Sequence, residues 1–300
     1  MTIQLTQAPV DRCPACGARN EPSARSCALC SAPLAGPAAD AAPIQADPFR
    51  PPPRAQPARA PRAALAPHVV LLAGLVLAPV FALTPILQYM AWFLASLVHE
   101  VGHCVVAWFT GHPAVPAIRL DGHAAAVHRP QSLALVAAVA IVLGWALWMV
   151  RVRPVARVLV GALVVLLPIL AFTDAFHTVH LLGGHLGELA FGAVFLVRAV
   201  EGGFTESPAE RITSACVGFM LVGRNVVHTF GLMTDAAARA TYAGNGSFGL
   251  TNDYIRVARN HWHTSLEQVA LVMFVIACLT PFLAAGAIWL RADRGGRAVS

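Results

Sequence analysis

Residues 86–109 read ILQYMAWFLASLVHEVGHCVVAWF, twenty-four residues in which Glu100 is the only formal charge. At about 1.5 Å of rise per residue, a helix of this length covers roughly 36 Å, enough to cross a hydrocarbon core about 30 Å thick. The stretch therefore reads as a membrane span with His99, Glu100 and His103 inside it. His99 lies about ten residues, or roughly 15 Å, from Thr110, where the apolar run ends. A charged side chain at mid-bilayer costs about 2.5–3.5 kcal/mol on insertion scales, so such residues need partners or a task. Water can reach them only through a cavity lined by protein.

The rest of the chain has the same character. Hydrophobic residues make up 57% and charged residues 12%, where a soluble domain carries about 25% charged residues. The net charge of +6 comes from arginines scattered between apolar runs, which reads as topology signals and excludes nucleic acid as the expected partner. Seven apolar segments follow one another, at about 68–84, 86–109, 131–150, 155–173, 178–199, 209–233 and 266–290. The expected fold is an all-α polytopic membrane protein of about seven transmembrane helices over residues 67–292, with a tail at 293–300. The first segment is short, and Thr84-Pro85 separates it tightly from the second, because the residue before proline is driven out of the helical region.

Residues 13–30, CPACGARNEPSARSCALC, carry two C-x-x-C knuckles ten residues apart. Four thiolates so paired can close a tetrahedral structural zinc site on Cys13, Cys16, Cys27 and Cys30, and a module this small needs the metal to fold. The expected organisation is a zinc ribbon over 1–35 and a Pro/Ala/Arg-rich linker over 36–66 whose basic end abuts the membrane. The residues before Cys13 lack a basic-then-apolar signal pattern. With the N-terminus in a reducing cytoplasm, the second span runs back inward and His99 lies nearer the cytoplasmic side. Arg119, Arg129, Arg239, Arg256 and Arg259 agree with the positive-inside rule, whereas Arg151, Arg153 and Arg157 oppose it.

Two histidines four residues apart project from one helix face and can share a metal, and Glu100 beside them can take a proton from water: H-E-x-x-H is the pattern of zinc hydrolases. Two further polar sets are Asp174, His177, His180, His185 and Glu188 at the start of and within the fifth segment, and Arg224, Asn225 and His228 in the sixth. At 100° per residue Asp174, His177, His185 and Glu188 share about a quarter of the circumference, while Gly183, Gly184 and Gly187 face elsewhere and admit a close neighbour. His185 is the expected third metal ligand, with Asp174 and Glu188 as alternatives. Glu188 would otherwise orient a ligand from outside the metal's own donors. Asp121, in a loop-like RLDGH, is a further candidate. Structural bracing is the competing reading for His185 and Glu188, and the preferred one for Arg224, Asn225 and His228.

Residues 86–130 resemble the site-2 protease family of intramembrane zinc metalloproteases, in which H-E-x-G-H lies in an apolar span. The resemblance over the rest of 68–290 is loose. It implies that His99 and His103 are zinc ligands and that Glu100 is the general base. In that family an Asp within N-x-x-P-x-x-x-L-D-G supplies the third ligand. Here the nearest echo, Pro168 to Asp174, lacks the Asn and the final Gly. HEVGH followed by GHPAVPAIRLDG, GGHLGE and NDYIRVA looks more like a divergent bacterial branch, in which GHxxE recurs beside the zinc helix. The expected activity is hydrolysis of peptide bonds in membrane-embedded substrates by zinc-activated water, with one intramembrane and one structural Zn2+. The expected location is a bacterial inner membrane with the N-terminus cytoplasmic, and the expected partners are the lipid bilayer, a membrane-protein substrate or client and a cytosolic partner of the ribbon. The alternatives are a non-catalytic zinc-binding membrane regulator and a metal transporter.

Overall fold

The computed structural model describes Cys13, Ser26, Cys27 and residues 65–118, 124–202, 207–244 and 252–297, the side chains of Ala82 and of 290–297 excepted. The chain divides into two units, Met1–Arg62 and Ala63–Ser300. Of the first, Cys13 and Cys27 are buried. Cys16, Cys30, most of the linker and Asp121 lie outside the described residues.

The second unit is a helical bundle. Helix α1 (Pro67–Leu77) runs into a 3-10 turn (Ala78–Ala82), and α2 (Pro85–Phe109) carries HEVGH. Thr84 caps α2 by accepting from the Leu87 amide at 3.3 Å, and Pro85 takes the first helical position, where its missing N–H costs nothing. Two antiparallel strands follow, β1 (Ala114–Ile118) and β2 (Ala124–His128). The remaining helices are α3 (Leu133–Met149), α4 (Pro154–Phe172), α5 (Ala175–Glu201), α6 (Pro208–Thr234), α7 (Ala236–Gly244), α8 (Asp253–Arg256) and α9 (Leu266–Arg297). A π-helical turn, Val257–His261, continues α8.

Among the described residues, five helices, α2, α4, α5, α6 and α9, are long and apolar enough to cross a membrane, while α1 with its 3-10 turn and α3 are shorter apolar helices. All seven apolar segments of the sequence are therefore helical, but five rather than seven reach spanning length. The distribution of polarity is that of a membrane protein. Ile141, Trp145 and Val158 stand 62–72% exposed, whereas Glu100, His103, Glu188 and Asn225 are at most 8% exposed. Such apolar faces are tolerable only against lipid or a partner. The hairpin β1–β2 departs from the loop expected for this region. Its strands are only five residues long, and Pro116 in β1 is a residue that argues against a strand except at an edge.

Helix α5 is the hub, packed against α2, α6 and α9. Its Leu181, Leu182 and Leu189 join Val222 of α6, Tyr254 and Val257 of the α8 turn, and Val269 and Met273 of α9 in the main core. Toward α2 the contact is backbone to backbone: a Cβ on Gly102 would lie 2.2 Å from the Gly183 carbonyl oxygen, and one on Gly187 would lie 2.6 Å from the Gly102 Cα. Gly102→Ala is accordingly expected to destabilise the bundle by about 1–3 kcal/mol, the range for overpacked contacts. Gly144→Ala on α3, where nothing lies within 4 Å of an added Cβ, should leave stability unchanged. Thermal unfolding of the detergent-purified variants measures both.

The ends of the helices are pinned by side chains. Helix α2 stops at Gly111, whose φ of +87° is a left-handed value that favours glycine. Gln131 then donates to the carbonyls of Thr110 at 2.9 Å and Ala171 at 2.7 Å, tying the ends of α2 and α4 together. Buried Arg211 donates to the carbonyls of Ala199, Val200 and Leu65 at 2.8–3.1 Å, closing the end of α5 onto the start of α1.

Candidate metal centre

His99 and His103, one helical turn apart on α2, bring their rings to a centroid separation of 4.8 Å. Each ring has its Nδ1 committed elsewhere. His103 Nδ1 donates to the His180 carbonyl at 2.6 Å, and because a carbonyl only accepts, the proton is on Nδ1 and Nε2 is left with a lone pair. His99 Nδ1 meets Glu188 Oε1 at 2.8 Å. Both Nε2 atoms then point to one oxygen, Asp253 Oδ2, at 3.4 Å from His99 and 3.2 Å from His103.

These distances fit a shared ion. Donors about 2.0–2.2 Å from a tetrahedral zinc lie roughly 3.4 Å from each other, which is close to the distance of the Asp253 oxygen from each imidazole nitrogen. Two imidazole nitrogens and a carboxylate oxygen are a donor set suited to zinc. Asp253 stands at the start of α8, outside the spans.

The expected third ligand, His185, is beside the pair but arranged differently. Its ring meets the His99 ring edge-on at 4.6 Å and packs on the Tyr254 ring at 4.3 Å. His99, His185 and Glu188 form a second group close enough to hold an ion. The 2.8 Å between His99 Nδ1 and Glu188 Oε1 is, however, a charge-assisted hydrogen-bond length, too short for two donors on one ion. His185 Nδ1 lies 3.2 Å from Asn225 Oδ1, and Asn225 donates to Glu188 Oε2 at 2.9 Å. Among the described residues, the group that contains both motif histidines is completed by Asp253 and does not include His185. Glu188 fixes the His99 ring, and Asn225 braces Glu188.

Asp174 stands exposed at the N-cap position of α5 without a side-chain capping bond, with His177 near it, and among the described residues neither enters a metal-holding group. The polar face read from the sequence thus divides: its first turn is exposed, and only His185 and Glu188 reach the centre. The glycine face of α5 does what small residues allow, since a Cβ on Gly184 would lie 2.3 Å from His99 Nε2. Arg224 is exposed on α6 and, among the described residues, makes no ion pair with Glu188.

Glu100 is buried and takes a backbone hydrogen bond from Ala126 of β2. A cavity of about 240 Å³ opens onto the centre, lined by Ser96, Glu100, His185, Arg224, His228 and Tyr242 among others. It is polar and large enough to hold water beside the centre.

Asp253 is the residue that sequence reasoning missed. It sits in N-D-Y-I-R-V-A, a motif noticed but given no role, and its signal was an acidic residue at a helix start beside a tyrosine. Tyr254 is fully buried, and its amide donates to the Tyr242 hydroxyl at 3.4 Å. Asn252 donates to the Tyr242 carbonyl. These contacts anchor the turn that presents Asp253. Comparison with known proteins gave no match: no family model, no curated protein and no solved structure matches the chain.

Proposed function

We propose that this chain is an intramembrane zinc metallopeptidase that hydrolyses peptide bonds in or beside membrane-embedded segments. The observation that carries the reading is the convergence of Asp253 Oδ2 on His99 Nε2 and His103 Nε2, which stand on an apolar helix that also holds Glu100. His99, His103 and Asp253 would hold the ion, which when bound supplies Lewis-acid polarisation of a carbonyl and a lowered pKa for water. The protein's own groups do the rest. Glu100, oriented from β2, accepts a proton from the attacking water and returns it to the leaving amine. Glu188 and the His180 carbonyl hold the two imidazoles in the tautomer that leaves Nε2 free. The cavity admits water while the bundle excludes lipid.

The ribbon of Cys13, Cys16, Cys27 and Cys30 is then a zinc-stabilised cytosolic docking module, and the membrane is a bacterial inner membrane with the N-terminus in the cytoplasm. Native membrane vesicles incubated with the purified, zinc-replete protein test the activity by mapping of new peptide termini. New termini in or within a few residues of apolar spans are expected, disappearing with a zinc chelator and returning with added Zn2+. If the zinc-loaded protein creates none, the peptidase reading is wrong.

A further inference from the structure

A file of imidazoles leads away from the metal centre. The His180 ring lies 5.2 Å from that of His103, the His128 ring lies 5.1 Å from His180, and the His112 ring lies 6.2 Å from His128. They come from three separate elements: α5, the end of β2 and the turn after α2. His128 is exposed. The His180 Nδ1 is buried without a hydrogen-bond partner among the described residues, an arrangement that ordinarily costs stability and calls for a ligand. Phe176 lies flat against His112 at 4.3 Å, with only 6° between the planes, and holds it in place.

The spacing indicates what the file carries. Two imidazoles bound to one tetrahedral zinc place their ring centres roughly 5 Å apart, which the first two steps match. A proton wire would need hydrogen bonds from ring to ring, and among the described residues no such bond joins these rings. The tautomer of His112 also suits a metal. Thr110 Oγ1 donates to the Val106 carbonyl at 2.9 Å and lies 3.2 Å from His112 Nδ1, so it accepts the Nδ1 proton and leaves His112 Nε2 with a lone pair.

We propose that His112, His128 and His180 form a loading path that captures Zn2+ at the end of α2 and passes it, held by two imidazoles at a time, to His103. The proposal rests on the zinc reading of the centre but not on proteolysis. Each transfer exchanges one neutral imidazole donor for another, so no oxidant or net proton transfer is involved. The path offers the ion imidazole nitrogens in place of its water on a side of the centre that the cavity's lining does not include.

The test is the rate at which metal-free full-length protein takes up Zn2+ from a chromophoric chelator, followed by stopped flow, together with final occupancy of the membrane site. The double variant His112→Gln/His128→Gln changes only a turn and a strand end, and is expected to load at least ten-fold more slowly than wild type while reaching the same final occupancy. His180→Gln keeps the carbonyl that His103 uses and should slow loading as well. Unchanged loading rates in both, with full occupancy, would overturn the path and leave the zinc centre standing. A wild-type membrane site that takes up no zinc would overturn the centre itself.

Discussion

Asp253→Ala will cost the membrane site its zinc, whereas His185→Ala will only weaken it. Removing a direct donor is expected to lower zinc affinity more than 100-fold, beyond the 10–100-fold typical of losing a residue that merely orients a ligand. His185, which touches the His99 ring and Asn225 rather than His103, should fall within that smaller range. Zinc competition against a chelator of known affinity measures both. The reverse order, with His185→Ala the more damaging, would assign the ion to the second group of His99, His185 and Glu188. Folding provides the control: Asp253 begins a four-residue helix anchored by Tyr254, Tyr242 and Asn252, and thermal unfolding in chelator separates a lost donor from a lost fold.

Glu100→Gln separates binding from chemistry. The amide matches the carboxylate in size and can still bond to the Ala126 backbone, but it cannot accept a proton from water. General-base catalysis contributes about 10²–10⁴-fold, and loss of that order is expected in the appearance of cleavage products from a membrane substrate. Zinc affinity should be nearly unchanged, because Glu100 belongs to neither metal-holding group. Cleavage that survives the substitution would deny Glu100 its role as base, even with the metal in place.

What could be read from the sequence follows the range of the physical signals. The apolar runs announced their helices because burial in lipid is decided segment by segment, and His99, Glu100 and His103 announced themselves because their spacing is a property of one helix. The glycine side of α5 was legible for the same reason. The pairing of the motif with Asp253, 150 or so residues further on, was not, since nothing local distinguishes a carboxylate that will meet two imidazoles from one that caps a turn. Asp174 was the converse case: helical periodicity placed it on the same face as Glu188, but periodicity carries no information about how far along the axis a neighbouring helix extends. The hairpin β1–β2 escaped notice because Ala-rich strands with an internal proline carry little strand propensity. The difference between seven apolar segments and five of spanning length is similar, since α1 gives way to a 3-10 turn at Ala78–Ala82 that no hydropathy pattern marks.

The glycine contact between α2 and α5 makes the bundle a ruler. Where side chains separate two helices, their distance can breathe with rotamer changes, with lipid thickness or with tilt. Where Gly102 lies on the Gly183 carbonyl and the Gly187 backbone, the separation is fixed by the van der Waals radii of main-chain atoms, which do not adjust. His99 and His103 on one edge of that contact, and Glu188 and the His180 carbonyl on the other, are therefore graduations on a rigid scale. Helices α3 and α4 lie outside this contact, so the orientation of the two imidazoles should be indifferent to acyl-chain length even where the protein's overall stability is not.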